Sequence, residues 1–214
     1  TSVGMGALPN GQAWYRFQIR RQTTTELTAD EIHALGLAEM ERIRGEIKTV
    51  LQALHFQGSV QAFYRHVQKD ARYFAQDAEQ LLAGFHSLKQ RIHAELPRLF
   101  KTMPRADYEI RPVESFRAAS AAGGSYQSPS ADGTRPGIFY INTHNLRAQP
   151  LYSMATLALH EGVPGHHYQF AIQQELEHLP RFQRFNNFKA YSEGWALYCE
   201  SLGHELGFYR DPMQ

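Results

Sequence analysis

The chain has 214 residues, 43% apolar and 20% charged, with 22 Lys and Arg against 21 Asp and Glu for a net charge of +1. That composition excludes a disordered protein, allows one sizeable core, and gives no electrostatic reason to expect a nucleic-acid partner. The single cysteine, Cys199, excludes an internal disulfide and a cysteine-rich metal site.

No run approaches the roughly 18 apolar residues of a membrane span, and the N-terminus does not read as a signal peptide. The expectation is a soluble protein, cytoplasmic or exported, any signal peptide lying outside this chain. Residues 1–26 open with glycines and Pro9. Ala13-Trp14-Tyr15-Arg16-Phe17-Gln18-Ile19 then predicts a short helix carrying packed aromatics. Thr28-Ala29-Asp30-Glu31 forms a capping box ahead of Ile32, Leu35, Met40, Ile43, Ile47 and Leu51, which predicts a long helix over about 29–55. His33 on it reads as a surface residue. Gly58-Ser59 stops that helix and caps a short one over 60–69. Leu81, Leu82, Phe85, Leu88, Ile92, Leu96 and Leu99 recur at three and four, so a second long amphipathic helix is predicted between Gln76 and Phe100. His86 and His93 on it are seven apart, but beside Lys89 and Arg91 they make a poor metal pair.

The composition changes after Pro104. Tyr108-Glu109-Ile110-Arg111-Pro112-Val113 alternates like a strand, and Ile138-Phe139-Tyr140-Ile141-Asn142 is a second β-prone run. Between them lies a small, polar stretch with Gly123-Gly124 and Asp132-Gly133 as turn signals. It reads as a loop between two strands or, more sharply, as an exposed edge at Gly123–Gln127 where an extended peptide can pair. On that sharper reading Tyr126 and Arg135 are candidate substrate contacts.

Pro150 opens the next helix, with Leu151, Met154, Leu157 and Ala158 as its apolar stripe up to His160-Glu161-Gly162-Val163-Pro164-Gly165-His166-His167. A catalytic zinc needs neutral imidazoles, a carboxylate, an open position and a nearby base. The common short form spaces its two histidines four apart, because i and i+4 share a helix face. Here position i+4 from His160 is Pro164. On an unbroken helix His166 sits roughly 240° round from His160, and His167, although about 20° off, sits roughly 10 Å further along. Neither converges on one ion. Proline removes an amide that the helix needs and glycine tolerates unusual backbone, so a bulge or break is expected there. Such a bulge can return His166 to the position of the missing i+4 ligand.

Tyr191-Ser192-Glu193-Gly194-Trp195-Ala196-Leu197-Tyr198-Cys199-Glu200 supplies the carboxylate. Glu193 and Glu200 are seven apart and share a helix face. Glu193, beside a glycine, is the expected ligand, and Glu200 a candidate acceptor for a ligand histidine N–H. Phe182, Phe185 and Phe188 precede this helix, which is expected to run to about Leu206.

His-Glu-x-x-Pro-Gly-His-His followed by Glu-Gly-Trp-Ala-Leu-Tyr resembles the bacterial domain-of-unknown-function 885 family, and the resemblance extends to Gly4–Pro9, Leu27–Gly36 and Tyr126–Asn142. Its members are regarded as zinc peptidases of the gluzincin type and are longer, with further helices on both sides. The resemblance implies zinc at His160, His166 and Glu193 with Glu161 as base, and names no substrate. The fold expected is α+β, a mostly helical, metallopeptidase-like domain with a small antiparallel or mixed sheet. It would be a single catalytic-type domain over 1–214, a fragment of a longer chain, helical over about 1–104, with the sheet and zinc helices over about 105–214. The function expected is zinc-dependent hydrolysis of a peptide bond, Glu161 moving the water's proton. His167, Tyr126 and Tyr191 remain alternatives as donor to the oxyanion. Non-peptide amides or esters are an alternative substrate class, and a metal- or peptide-binding module without turnover is the alternative from another class.

Overall fold

A computed structural model describes residues 4–211 and 213; residues 1–3, 212 and 214 of the expected unit lie outside the described residues. The helical part comprises α1 (Gly11–Thr23), α2 (Ala29–Ala53), α3 (Val60–Lys69) and α4 (Ala78–Glu95). Each begins where its sequence offers a stop or a cap. Thr28 and Glu31 make both halves of the capping box of α2, Ser59 accepts from Ala62 N at α3, and Asp77 accepts from Gln80 N at α4. Helix α4 ends earlier than the expected run to Phe100, because Leu96–Arg98, containing Pro97, tightens into a 3₁₀ turn.

Strands β1 (Tyr108–Pro112), β2 (Gly124–Gln127) and β3 (Gly137–Ile141), with the short helix α5 (Ser115–Ala118) between β1 and β2, form one mixed sheet in the order β1-β3-β2. Strand β1 pairs parallel to β3, Tyr108 opposite Gly137, and β2 pairs antiparallel, Tyr126 opposite Phe139. The stretch between the two predicted strands is thus partly a third strand, and it takes an edge. Strand β3 is central and buries Ile138, Phe139 and Ile141, the near-continuous burial of a strand covered on both faces.

The remaining helices are α6 (Met154–Glu161), α7 (His166–Glu175), α8 (Arg181–Phe185) and α9 (Lys189–Ser201). Helix α9 stops short of the expected Leu206; turns follow, and Gly207 takes a left-handed φ of 77°. The core joins Leu81, Phe85, Leu88 and Ile92 of α4 to Tyr108, Ile110, Phe139 and Ile141 of the sheet and to Ala155, Ala158 and Leu159 of α6. Phe85 meets Phe139 edge to face, with centroids 5.4 Å apart. The architecture is α+β and mostly helical. Helix α6 lies between α4, α9 and β2, so its last turn is delivered into the middle of the molecule.

Candidate metal centre

The helix breaks where Pro164 and Gly165 predict it. Helix α6 ends at Glu161, and α7 begins at His166 after a turn in which the Val163–Pro164 peptide is cis. A Cβ on Gly165 would collide with the carbonyl oxygens of Leu159 and His160, so only glycine lets the chain fold back this closely over the end of α6. The indole Nε1 of Trp195 donates to Pro164 O at 2.8 Å, tying the turn to α9.

The break brings the histidines together. His160 Nε2 and His166 Nε2 each lie 3.6 Å from Glu193 Oε2, and one ligand atom from each of the three residues lies within 4.8 Å of the others. Two ligands about 2.0–2.1 Å from a tetrahedral zinc stand roughly 3.3 Å apart, so the spacing fits such an ion with little adjustment. Among the described residues this is the one cluster with the donors for a metal; His86 and His93 are not part of it. Glu193 keeps 47% of its side chain exposed, which leaves the point of convergence open to solvent on that side.

The groups behind the donor atoms differ between the two histidines. His160 donates from Nδ1 to Glu200 Oε1 at 2.8 Å, leaving the Nε2 lone pair free for a metal. Glu200, seven residues after Glu193, is thus the acceptor for a histidine N–H, and Tyr209 Oη donates to its carbonyl oxygen at 2.8 Å. His166 Nδ1 is buried with no hydrogen-bond partner, an arrangement that costs about 1–3 kcal/mol for an N–H.

With only the protein's own groups present, the hydrogen bond to Glu200 raises the pKa of His160, and burial lowers that of His166 to about 4. A neutral imidazole is the form that binds a metal. Glu161, 8% exposed, has its pKa raised to about 7, chiefly because burial disfavours its charge. That value lies in the range of a general base working near neutral pH.

The structure does not bring every expected site residue to the donors. His167 is 1% exposed; its Nδ1 lies 2.8 Å from Tyr126 Oη and its Nε2 2.9 Å from Ala106 O, so neither nitrogen is free to meet a substrate in this arrangement. Tyr126 is on edge strand β2, its hydroxyl turned to His167 and its ring against His166 and Phe170. Arg135 donates to Pro136 O at 2.9 Å and Ser128 O at 2.6 Å, bracing its own loop. Tyr191 lies in the first turn of α9 and is exposed.

Two further residues shape the site without a motif that marks them in the sequence. Phe170 stands four after His166, a spacing that places them on one helix face and is its only signal in the sequence. Gly137 has no such signal: a Cβ there would lie 2.6 Å from Tyr126 Oη and 2.8 Å from His167 Nδ1.

Residues 2–214 match the family described as "Bacterial protein of unknown function (DUF885)". The chain belongs to this family. A crystal structure described as "the putative lipoprotein from Colwellia psychrerythraea" is similar to this DUF885 member at 34% identity and TM-score 0.94, over 98% of this chain and 37% of that one. A second, "a putative lipoprotein of unknown function from Shewanella oneidensis", shares the fold at TM-score 0.67 and 17% identity, over 94% of this chain and 39% of that one. The chain therefore spans less than two-fifths of either relative's length. No curated protein matches it. No helix among the described residues is long and apolar enough to cross a membrane.

Proposed function

We propose that this DUF885 region is the catalytic part of a zinc-dependent hydrolase that cleaves peptide bonds. The observation that carries the reading is the convergence of His160, His166 and Glu193 from three helices beside a buried glutamate. A zinc ion held by those three residues would polarise the substrate carbonyl and make the attacking water more acidic. A site built only for structure more often closes its shell with four protein ligands.

The chain's own groups supply the rest. Glu161 accepts a proton from the water as its oxygen bonds to the carbonyl carbon, and returns that proton to the amine nitrogen as the carbon–nitrogen bond breaks. Glu200 holds His160 in the tautomer that keeps Nε2 free. Strand β2 pairs with β3 on one side and packs against α6 and α7. Its other edge, on the strand that carries Tyr126 against His166, would offer main-chain groups to an extended peptide. The description of the 34%-identical relative as a lipoprotein supports a site of action outside the cytoplasm.

Zinc content and a peptide-library digest of wild type and Glu161→Gln test the reading. Wild type is expected to hold about one zinc and to cleave peptides, and His160→Ala to lose the zinc. Glu161→Gln, which keeps size and hydrogen bonding but cannot take the proton, should keep zinc and lose roughly 10²–10⁴ in rate. Equal rates would remove Glu161 from the mechanism. Zinc without peptide cleavage would move the assignment to another acyl substrate or to a binding module.

A further inference from the structure

We propose that His167 is a positioning residue for His166 and that it acts through Tyr126; the proposal rests on the metal reading above. The two ligand imidazoles are held in different ways. His160 has the carboxylate of Glu200 on its Nδ1, the usual device for fixing a ligand ring. His166 has nothing on its Nδ1, and apart from Glu193 at its Nε2 the side chains packed on it are rings. Tyr126 stacks on it with centroids 6.5 Å apart and planes at 29°. Phe170 stacks on it at 5.6 Å and 22°, and Tyr126 and Phe170 lie nearly parallel, 6.2 Å apart at 7°. The tilt of the His166 ring is therefore set by aromatic packing where its fellow ligand uses a hydrogen bond.

Packing of that kind is only as firm as the rings that do it. Phe170 is carried by the same helix, one turn beyond His166. Tyr126 comes from an edge strand and is anchored by its hydroxyl, 2.8 Å from His167 Nδ1. The direction of that bond follows from the far end of the histidine. His167 Nε2 lies 2.9 Å from Ala106 O; a carbonyl only accepts, so Nε2 carries the hydrogen. In the neutral ring Nδ1 is then an acceptor, and the Tyr126 hydroxyl donates to it. Strand β3 admits this pair only because position 137 is glycine. A chain of contacts thus runs from the backbone just before β1, through His167 and Tyr126, to the face of His166.

Zinc affinity, measured by chelator competition, tests this apart from any enzymatic activity, with the urea midpoint of each metal-free protein recorded beside it. The variants are Tyr126→Ala, Tyr126→Phe, His167→Leu and the Tyr126→Phe/His167→Leu double. Tyr126→Ala is expected to weaken zinc by about 10–100-fold, the range for partners that orient a ligand. Tyr126→Phe keeps the stack without its anchor and should fall between Tyr126→Ala and wild type. His167→Leu should weaken zinc in the wild-type background and add nothing to Tyr126→Phe, because its route runs through the hydroxyl. A merely structural histidine would lower the midpoint equally in both backgrounds and leave zinc affinity alone, which would overturn the proposal, as would losses that add in full. Should His167→Leu fail to fold, unchanged zinc affinity in Tyr126→Ala overturns it and a graded loss from Phe to Ala supports it. Failure of the metal reading looks different, since wild type itself would then bind no more zinc than His160→Ala.

Discussion

Helices α2 and α6 both follow the helical spacing of apolar residues and end in opposite surroundings. Helix α2 has 25 residues and a complete capping box, yet Leu51 is its one buried residue; Leu35, Met40 and Ile43 of its apolar series are exposed. Helix α6 has eight residues and no side-chain cap, and it buries Met154, Ala155, Ala158, Leu159 and Glu161. An eight-residue helix is too short to persist alone in water, so α6 exists because α4, α9 and β2 enclose it. Local groups define the first helix, with Arg42 pairing to Glu39 and Glu46 along its surface. Tertiary packing defines the second. Spacing reports that a face is apolar and says nothing of what covers it. The candidate site belongs to the enclosed region because only there is the last turn of a helix held firmly enough to aim His160 and bury Glu161.

The comparison breaks most visibly under truncation of a leucine. Leu159 is 0% exposed and one residue from a proposed ligand, so Leu159→Ala should lower the unfolding free energy of the metal-free protein by about 2–5 kcal/mol. Leu35, 59% exposed, loses little contact, and alanine is the better helix former; Leu35→Ala should stay within about 0.5 kcal/mol. Urea denaturation measures both. Similar losses at the two positions would mean that α2 is covered in solution.

A smaller effect is expected at the turn between α6 and α7. Gly165→Ala sets a Cβ against two backbone carbonyls, and backbone cannot yield as a side chain does, so roughly 1–3 kcal/mol should be lost. The same variant should weaken zinc binding, because the turn sets the spacing of His160 and His166. Wild-type stability and zinc affinity in Gly165→Ala would show that α7 can dock without the close approach.

Much of this arrangement is legible in the chain before folding. The helix between Gln76 and Phe100 announces itself through its apolar spacing, its cap at Asp77 emerging only in the fold; those expected over about 29–55 and 60–69 do so through Thr28 and Ser59, residues that satisfy amides within their own turn. The break at Pro164-Gly165 is legible for the same reason, since a missing amide and a missing Cβ act locally. Strand β2 was harder, because Gly124-Ser125-Tyr126-Gln127 has no apolar alternation; its pairing with β3 decides it. The hidden parts of the site were those that depend on contacts distant in sequence. The His167 ring spans from Ala106 to Tyr126, and nothing in the neighbouring residues says that the imidazole beside His166 will face the core. Arg135 reads as a substrate contact from its position beside a glycine-rich edge, whereas the fold gives its guanidinium two carbonyls of its own loop.

The smallest effect sharpens the comparison from the side of α2. Thr28 Oγ1 accepts from Glu31 N at 3.2 Å, and Glu31 Oε2 accepts from Thr28 N at 2.8 Å. Thr28→Ala removes the first of these bonds and should cost about 1 kcal/mol in the first turn. The bond from the Thr28 amide holds the Glu31 carboxyl below its ordinary pKa. Its contribution is therefore complete above the ordinary glutamate range and is lost as pH falls through the lowered value. Because α2 buries so little, the loss should appear as faster hydrogen exchange at residues 30–32, with the urea midpoint of the whole chain nearly unchanged. A midpoint that falls as far as in Leu159→Ala would show that the capping box of α2 is coupled to the core around α6, and that the two helices are not independent.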